Sequence, residues 1–114
     1  MMSFEFGDVI LVPFPFTDQR TTKKRPAIVT SSTTYNRERP DLIVLAVTSQ
    51  TATVPPAFGE AAASQWREAG LLKPSVFKPL LATIERQLVL RHLGRLQPTD
   101  RQILQALLDR ILGP

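Results

Sequence analysis

The chain has 114 residues with no cysteine and one histidine, and 43% of its residues are hydrophobic and 21% charged. The composition is that of a globular protein, and the length suits one domain over residues 1–114. The residue counts exclude a disulfide scaffold, a thiol nucleophile and metal sites built from cysteine or clustered histidine. No metal or cofactor is therefore expected. The formal net charge of +4 favours a polyanionic partner, nucleic acid or anionic lipid, although it also serves solubility alone.

The first half of the chain alternates short apolar strands with polar loops. Residues 8–16 predict a buried strand, because a β-branched run there meets two prolines that cannot continue a ladder. Residues 17–25 have no apolar member and predict an exposed loop. A second strand is expected over 26–31 and a polar loop over 32–40. Asp41–Ser49 is apolar on both alternating faces, which predicts a strand central in a sheet.

The second half begins with shorter elements. Residues 54–58 are typical of an edge strand. The alanine-rich stretch 59–69 predicts one or two helical turns ended by Gly70. Residues 74–84 predict a strand that Pro79 interrupts.

The last segment has the periodicity of an amphipathic helix, following a short strand or turn over residues 88–96. Thr99 and Gln102 match a capping box, Gly113 ends the helix, and Asp100 lies on its polar side. The apolar stripe, which predicts core or dimer packing, consists of Ile103, Leu104, Leu107, Leu108 and Ile111. Together the elements predict a small β-rich domain closed by a C-terminal helix.

No segment is patterned for a membrane or for export. The longest apolar run, residues 42–47, is far shorter than the roughly 20 residues of a transmembrane helix. The chain start lacks the basic and apolar regions of a signal peptide. We therefore expect a cytoplasmic protein with no membrane partner.

Basic residues concentrate in the two loops that precede and follow the second predicted strand. If these loops join neighbouring strands of a meander, they flank one groove that suits a phosphate backbone. A solvated loop surface is the alternative. The basic residues are Arg20, Lys23, Lys24, Arg25, Arg37 and Arg39.

Arg25 differs from the other basic residues because Pro26 follows it. A residue before proline is biased to an extended conformation, here at the mouth of a strand. A guanidinium held there can bind two phosphate oxygens and stabilise charge on a transferring phosphoryl group. The alternative is a salt bridge at the strand edge with Glu5 or Asp8.

Hydroxyl and amide side chains follow the central strand. Thr48, Ser49, Gln50 and Thr51 are consecutive there. Such groups can position a phosphate or bind a base edge. The alternative is local turn chemistry, since Ser and Thr readily bond nearby backbone.

Two single residues have a structural and a functional interpretation. His92 is a general base by residue type, but it lies between leucines and far in sequence from the basic loops, which favours a structural role. Trp66 could stack on a base, but its surroundings favour a core anchor.

The order of short motifs along the chain narrows the interpretation. They are Gly7 to Asp18, Lys24-Arg25-Pro26-Ala27-Ile28-Val29, Leu45 to Gln50, Trp66, Ala69-Gly70-Leu71, Lys73-Pro74-Ser75-Val76, Ala82-Thr83-Ile84 and Leu93-Gly94-Arg95-Leu96. In this order they resemble PemK/MazF-type toxins, and the resemblance spans nearly the whole chain.

The resemblance implies a β-rich α+β fold: a strongly bent antiparallel sheet, SH3-barrel-like, with short helices and a C-terminal helix. It implies a homodimer that cleaves single-stranded mRNA at specific sequences without a metal ion. It also implies a cognate antitoxin with a flexible acidic tail. Cleavage would follow attack of a 2′-OH on phosphorus and leave a cyclic phosphate.

The resemblance also assigns residues. It implies that Arg25 and Thr48 are catalytic, with Arg25 stabilising charge rather than moving protons, because a guanidinium stays charged in proteins. The remaining implied RNA contacts are Thr17, Asp18, Arg20, Lys23, Lys24, Ser49 and Gln50. The loop 17–24 corresponds to a mobile loop over the RNA groove, but it lacks the glycine found in several family members.

Two other classes remain open. A CcdB-like poison of DNA gyrase would share the fold and cleave nothing, but that class depends on a Trp-Gly-Ile terminus, where this chain has Ile111-Leu112-Gly113-Pro114. A non-catalytic SH3-like module that binds nucleic acid would explain the basic groove. It gives no reason for Arg25 and Thr48 together.

Overall fold

The structure is a computed structural model that describes residues 3–15, 22–49 and 55–113. Within these residues the elements are β1 (Asp8–Pro15), β2 (Thr22–Val29), α1 (Thr33–Glu38), β3 (Asp41–Ser49), β4 (Ala61–Ala62), β5 (Ser75–Glu85), a 3₁₀ turn (Arg86–Leu88), β6 (Arg91–Arg95) and α2 (Pro98–Leu112). No helix in these ranges has both the length and the apolarity to cross a membrane.

The strands form one curled antiparallel sheet in the order β4-β5-β3-β2-β1-β6. β3 lies between β2 and β5, which confirms that Asp41–Ser49 is central. Its two faces are buried in different apolar clusters. The expected bent sheet with a C-terminal helix is therefore confirmed.

The first apolar cluster lies between the sheet and α2. The buried stripe of α2, Leu104, Leu107 and Leu108, packs there against strand residues. Burying each such side chain stabilises the fold by about 1.5–3 kcal/mol. Trp66 packs against the same cluster, so its predicted role as a core anchor is confirmed. The strand residues of the cluster include Val9, Ile28, Leu45, Val47 and Phe77.

The second apolar cluster lies on the opposite face of the same strands. It includes Ile10, Val12, Phe14, Ala27, Val29, Leu42, Val44 and Ala46, together with Phe4 and Ile84. Alternate residues of β1, β2 and β3 thus enter different clusters, as the period of two along a strand requires. The curl of the sheet encloses this second cluster.

Several sequence predictions of local structure differ from the structure, and residues 55–58, predicted as part of an edge strand, form no strand. β2 begins at Thr22, so residues 22–25 are strand and not loop, because Lys23 and Lys24 pair with β1 despite their polarity. Residues 33–38 form α1, whose first turn is capped by the Ser32 hydroxyl accepting the Tyr35 N–H. Within 59–69, residues 61–62 form β4, but the Ala69 N–H donates to the Gln65 carbonyl at 3.2 Å, so the single helical turn predicted before Gly70 is present.

The start of α2 also differs from the predicted capping box. The N-cap is Gln97, which makes no side-chain cap bond, and Pro98 occupies the first turn. Asp100 is completely buried and not on the polar side of α2. Its carboxylate accepts hydrogen bonds from the Ser64 N–H, the Ser64 hydroxyl and the Gln65 N–H, each at 2.8 Å. This charge therefore joins α2 to the turn after β4.

Pro79 interrupts the pairing of β5 without ending the strand. Leu45 pairs with Leu81 and Val47 pairs with Phe77, so the register shifts across Pro79. Proline has no N–H to donate to a ladder, and a bulge accommodates it. The predicted interruption is thus a bulge within one strand.

Candidate functional site

Three strands bring polar side chains to one end of the sheet. These are the starts of β2 and β5 and the end of β3. The β2–β3 pairing ends at Ala27 and Ala46, and Arg25 and Thr48 each lie two residues beyond this last pair, at the same end of the sheet. On the other side of β3, Ser49 pairs with Ser75. We call this set the strand-end site: Lys23, Lys24, Arg25, Thr48, Ser49 and Ser75.

Arg25 and Thr48 share one face of the sheet. Arg25 follows the row of Ala27 along β2, and Thr48 follows the row of Ala46 along β3. Both alanines belong to the second apolar cluster, so these rows are apolar inside the curl and polar at its mouth. Arg25 and Thr48 are half-buried. A guanidinium partly removed from water attracts a phosphate more strongly than an exposed one does.

The other predicted contacts that the structure describes are exposed around this pair. Lys23 and Lys24 are exposed at the start of β2, and Ser49 is exposed at the end of β3. Thr17, Asp18, Arg20 and Gln50 lie outside the described residues. The loop 17–24 therefore has a described position only from residue 22 onward.

The start of β5 adds residues that the sequence analysis did not assign to the site. Ser75 is buried and its hydroxyl donates to the Lys73 carbonyl at 2.8 Å. Lys73 is exposed. The motif Lys73-Pro74-Ser75 was recognised in the sequence, but its location beside Ser49 depends on the pairing of β3 with β5.

Arg37 and Arg39 are not part of the strand-end site. α1 joins the other ends of β2 and β3, so both arginines lie beyond that end. The six residue-to-residue steps from Arg25 to Ser31 span about 20 Å when extended. The prediction that both basic loops flank one groove is therefore wrong.

The proposed salt bridge of Arg25 with Glu5 or Asp8 is also wrong. Arg95 takes both carboxylates, with its Nε 3.0 Å from an oxygen of the fully buried Asp8 and its Nη2 2.9 Å from Glu5. The hydrogen bond and charge of Asp8 raise the pKa of Arg95. His92 Nε2 lies 3.5 Å from Asp8, which agrees with a structural role. This cluster lies at the start of β1, away from the strand-end site.

The structure thus defines a small protein with a curled antiparallel sheet, a closing helix and a basic, hydroxyl-bearing strand end. Its sequence matches a protein family over residues 5–112. The chain belongs to the PemK-like, MazF-like toxins of type II toxin-antitoxin systems. The family expected from the sequence motifs is confirmed.

Solved structures share this fold at low sequence identity. MazF from Deinococcus radiodurans is 17% identical, with a TM-score of 0.77 over 100% of both chains. An endoribonuclease from a mycobacterial species, in complex with its cognate antitoxin, is 18% identical, with a TM-score of 0.75 over 96% of this chain and 95% of that chain. The Mycobacterium tuberculosis toxin MazF-mt6 is 19% identical, with a TM-score of 0.72 over 92% of this chain and 95% of that chain. None of the curated protein sequences compared with the chain matches it.

Proposed function

We propose that this chain is an endoribonuclease toxin that cleaves single-stranded mRNA at specific sequences. Membership of the toxin family and the likeness to a mycobacterial endoribonuclease support this activity. The observation that carries the proposal is the β2–β3 pairing, which brings Arg25 and Thr48 to the same basic end of the sheet. A guanidinium and a hydroxyl on one face are the groups that phosphoryl transfer can use without a histidine.

The proposed reaction uses the RNA's own nucleophile. The 2′-oxygen attacks the adjacent phosphorus and forms a new P–O bond, while the bond from phosphorus to the 5′-oxygen breaks. The products are a 2′,3′-cyclic phosphate and a 5′-hydroxyl. Solvent takes the proton of the 2′-OH and supplies one to the 5′-oxygen, because a guanidinium stays charged in proteins and does not exchange protons readily.

The two catalytic side chains have different tasks. Arg25 binds the phosphate oxygens and stabilises the negative charge that grows on them in the transition state. Thr48 donates a hydrogen bond that holds the phosphate in line for attack. No metal ion is needed in this scheme.

The exposed residues around the pair bind the rest of the substrate. Lys23, Lys24 and Lys73 attract the phosphate backbone and release its counterions. Ser49 contacts the nucleotides directly, and so does Gln50 in the sequence-based assignment. Thr17, Asp18 and Arg20 complete that assignment from the loop before β2.

Two partners belong to the proposal. A cognate antitoxin with a flexible acidic tail neutralises the toxin, and the basic strand end is the complementary surface for such a tail. Neighbouring structures with this fold include a complex with a cognate antitoxin. The toxin itself acts as a homodimer, and its mRNA substrate assigns it to the cytoplasm.

Cleavage of single-stranded RNA by the purified protein tests this function. Wild type is incubated with RNA in excess chelator, next to Arg25→Ala, Thr48→Val and the control Arg39→Gln. Arg25→Ala is expected to lose about 10²–10³ in rate or more, the effect of removing a donor to a developing oxyanion. Thr48→Val keeps the side-chain shape and is expected to lose about tenfold or more. Arg39→Gln removes one positive charge at the opposite end of the sheet and should cleave normally.

A substrate with 2′-deoxyribose at the cleaved position is expected to be bound and left intact, since it lacks the nucleophile. No cleavage by wild type, or undiminished cleavage by both site variants, would overturn the proposal. RNA binding without cleavage would instead support a non-catalytic nucleic-acid-binding module. Inhibition of DNA gyrase without RNA cleavage would support a gyrase poison.

A further inference from the structure

A polar cavity lies at the end of the sheet opposite the strand-end site. It has a volume of about 320 Å³ and is lined by the segment before β1, by α1 and by the 3₁₀ turn after β5. Its polar lining includes Ser3, Thr33, Asn36, Arg37 and Arg86. We call it the α1 pocket.

The floor of the α1 pocket is fixed by a buried hydrogen-bond network. Asn36 Nδ2 donates to the Phe4 carbonyl at 3.0 Å and to the Ser31 carbonyl at 3.1 Å. The Ser31 hydroxyl donates to Asn36 Oδ1 and accepts the Ile43 N–H. Asn36 and Ser31 are both buried. The network joins the N-terminal segment, α1 and β3, so the pocket is formed before any ligand binds.

Arg86 supplies a donor that the described protein does not use. Its Nη2 donates to the Arg39 carbonyl at 2.9 Å, which holds the guanidinium against the end of α1. Its Nε is buried and has no hydrogen-bond partner in the part of the chain that the structure describes. Leaving a charged donor buried and unpaired is unfavourable. A ligand oxygen can accept this N–H once the guanidinium turns toward the pocket, and that contact would remove the penalty.

The charges of the α1 pocket favour an anion. Arg37 and Arg86 contribute two guanidinium groups, and Glu5 is the acidic residue of the lining. Glu5 pairs with Arg95 at 2.9 Å, so its carboxylate is held by a cation outside the pocket lining, and two guanidinium groups face one carboxylate within that lining. Arg86 also lines a neighbouring depression of about 340 Å³, but Glu85 lies there and disfavours an anion.

We propose that the α1 pocket binds a phosphate group. Guanidinium and hydroxyl donors approach from three separate segments, which suits the tetrahedral oxygens of phosphate better than the planar oxygens of one carboxylate. The phosphate belongs to a free nucleotide or to the backbone of a bound nucleic acid. The site is independent of cleavage at Arg25 and Thr48, because it lies at the other end of β2 and β3.

Nuclear magnetic resonance of the arginine Nε–H groups tests the proposal. The ¹⁵N-labelled protein is titrated with inorganic phosphate, a nucleoside 5′-monophosphate, a single-stranded oligonucleotide and a poly-glutamate peptide, all against chloride at matched ionic strength. We expect a saturable shift of the Arg86 Nε–H signal with the phosphate compounds. Arg37→Gln and Arg86→Lys should each weaken phosphate binding by about tenfold or more. Arg67→Gln, which removes an exposed arginine stacked on Trp66, should leave it unchanged.

Each outcome decides the proposal. A shift with inorganic phosphate or the mononucleotide supports a site for free phosphate compounds, and a shift confined to the oligonucleotide supports a site for a nucleic-acid phosphate. No saturable shift, a shift with poly-glutamate alone, or equal binding by Arg37→Gln and wild type overturns it. Arg37→Gln keeps the test decisive if Arg86→Lys does not fold, because Arg37 is exposed and is not a partner in the hydrogen bonds of Asn36 and Ser31 described above.

Discussion

Gly70 and Gly94 lie where the turn before β5 crosses β6, with backbone against backbone. A Cβ on Gly70 would lie 2.1 Å from the Leu93 carbonyl oxygen, and a Cβ on Gly94 would lie 2.2 Å from the Ala69 carbonyl oxygen. Both distances are more than 1 Å short of the 3.4 Å at which ordinary van der Waals contact begins. An alanine at either position must therefore push the turn away from β6.

Comparing alanine substitutions at three glycines separates the energetic cost of this steric contact from the cost of a positive φ. Gly70 has a φ of +89° and Gly59 a φ of +86°, but a Cβ on Gly59 would meet its neighbours at an ordinary 3.5 Å. Gly59→Ala is expected to lower the free energy of unfolding by about 1 kcal/mol, the cost of placing alanine at a positive φ. Gly94→Ala introduces the steric contact at a residue whose φ is not positive. It is expected to lower the free energy of unfolding by about 3 kcal/mol, the upper range for overpacking. Gly70→Ala combines both and should lose about 4 kcal/mol.

Urea unfolding measures these differences. With an m-value of about 1–3 kcal/mol/M, Gly94→Ala should lower the midpoint by about 1 M or more at an unchanged slope. Gly70→Ala removes a large part of a typical stability of about 5–15 kcal/mol. If Gly70→Ala and Gly59→Ala lower the free energy of unfolding by amounts that agree within about 0.5 kcal/mol, the close backbone approach does not constrain the fold and the reasoning is refuted.

Three further changes have expected outcomes. Asp100→Ala deletes a buried carboxylate that accepts three hydrogen bonds and should lower the free energy of unfolding by about 2–4 kcal/mol in urea titration, whereas Asp109→Ala on the exposed face should change it by no more than about 0.5 kcal/mol. The Lys78 hydrogen bond lowers the pKa of Glu60 from its usual 4.5, so Glu60→Gln should destabilise the fold at neutral pH and progressively less as the pH falls below 4.5 through the lowered pKa; a difference that stays constant in urea titrations from pH 7 to pH 3 would contradict this. If Lys73 contacts an RNA phosphate, Lys73→Gln should make the plot of log affinity against log salt shallower by about 0.7, and an unchanged slope in binding titrations would exclude the contact.

Sequence patterns predict the residue types of the candidate site but not their spatial arrangement. Arg25 before Pro26 and Thr48 after an apolar run each predict a polar residue at a strand end. Neither pattern predicts how close Arg25 and Thr48 are in space. That distance follows from the β2–β3 register, in which Ala27 pairs with Ala46. Long-range pairing of this kind is chosen by burial on both faces of the sheet, which no local segment encodes.

The wrong predictions have the same origin. Lys23 and Lys24 look like loop residues because they are charged, but β1 offers them backbone partners. Asp100 looks exposed on the helix, but the turn at Ser64 supplies donors that make its burial favourable. In each case a group distant in sequence satisfies the polar atoms that local propensity leaves unpaired.

The sequence by itself determined the β-rich class, the central position of Asp41–Ser49 and the C-terminal helix, because these depend on local periodicity. Its ordered motifs also identified the toxin family. Only the tertiary structure decided that Arg25 lies with Thr48, and that Arg37 lies with Arg86 at the other end of the sheet. Strand order and register set these arrangements. Antiparallel pairing brings together residues that are far apart in sequence, and it places residues that are close in sequence at opposite ends of a strand.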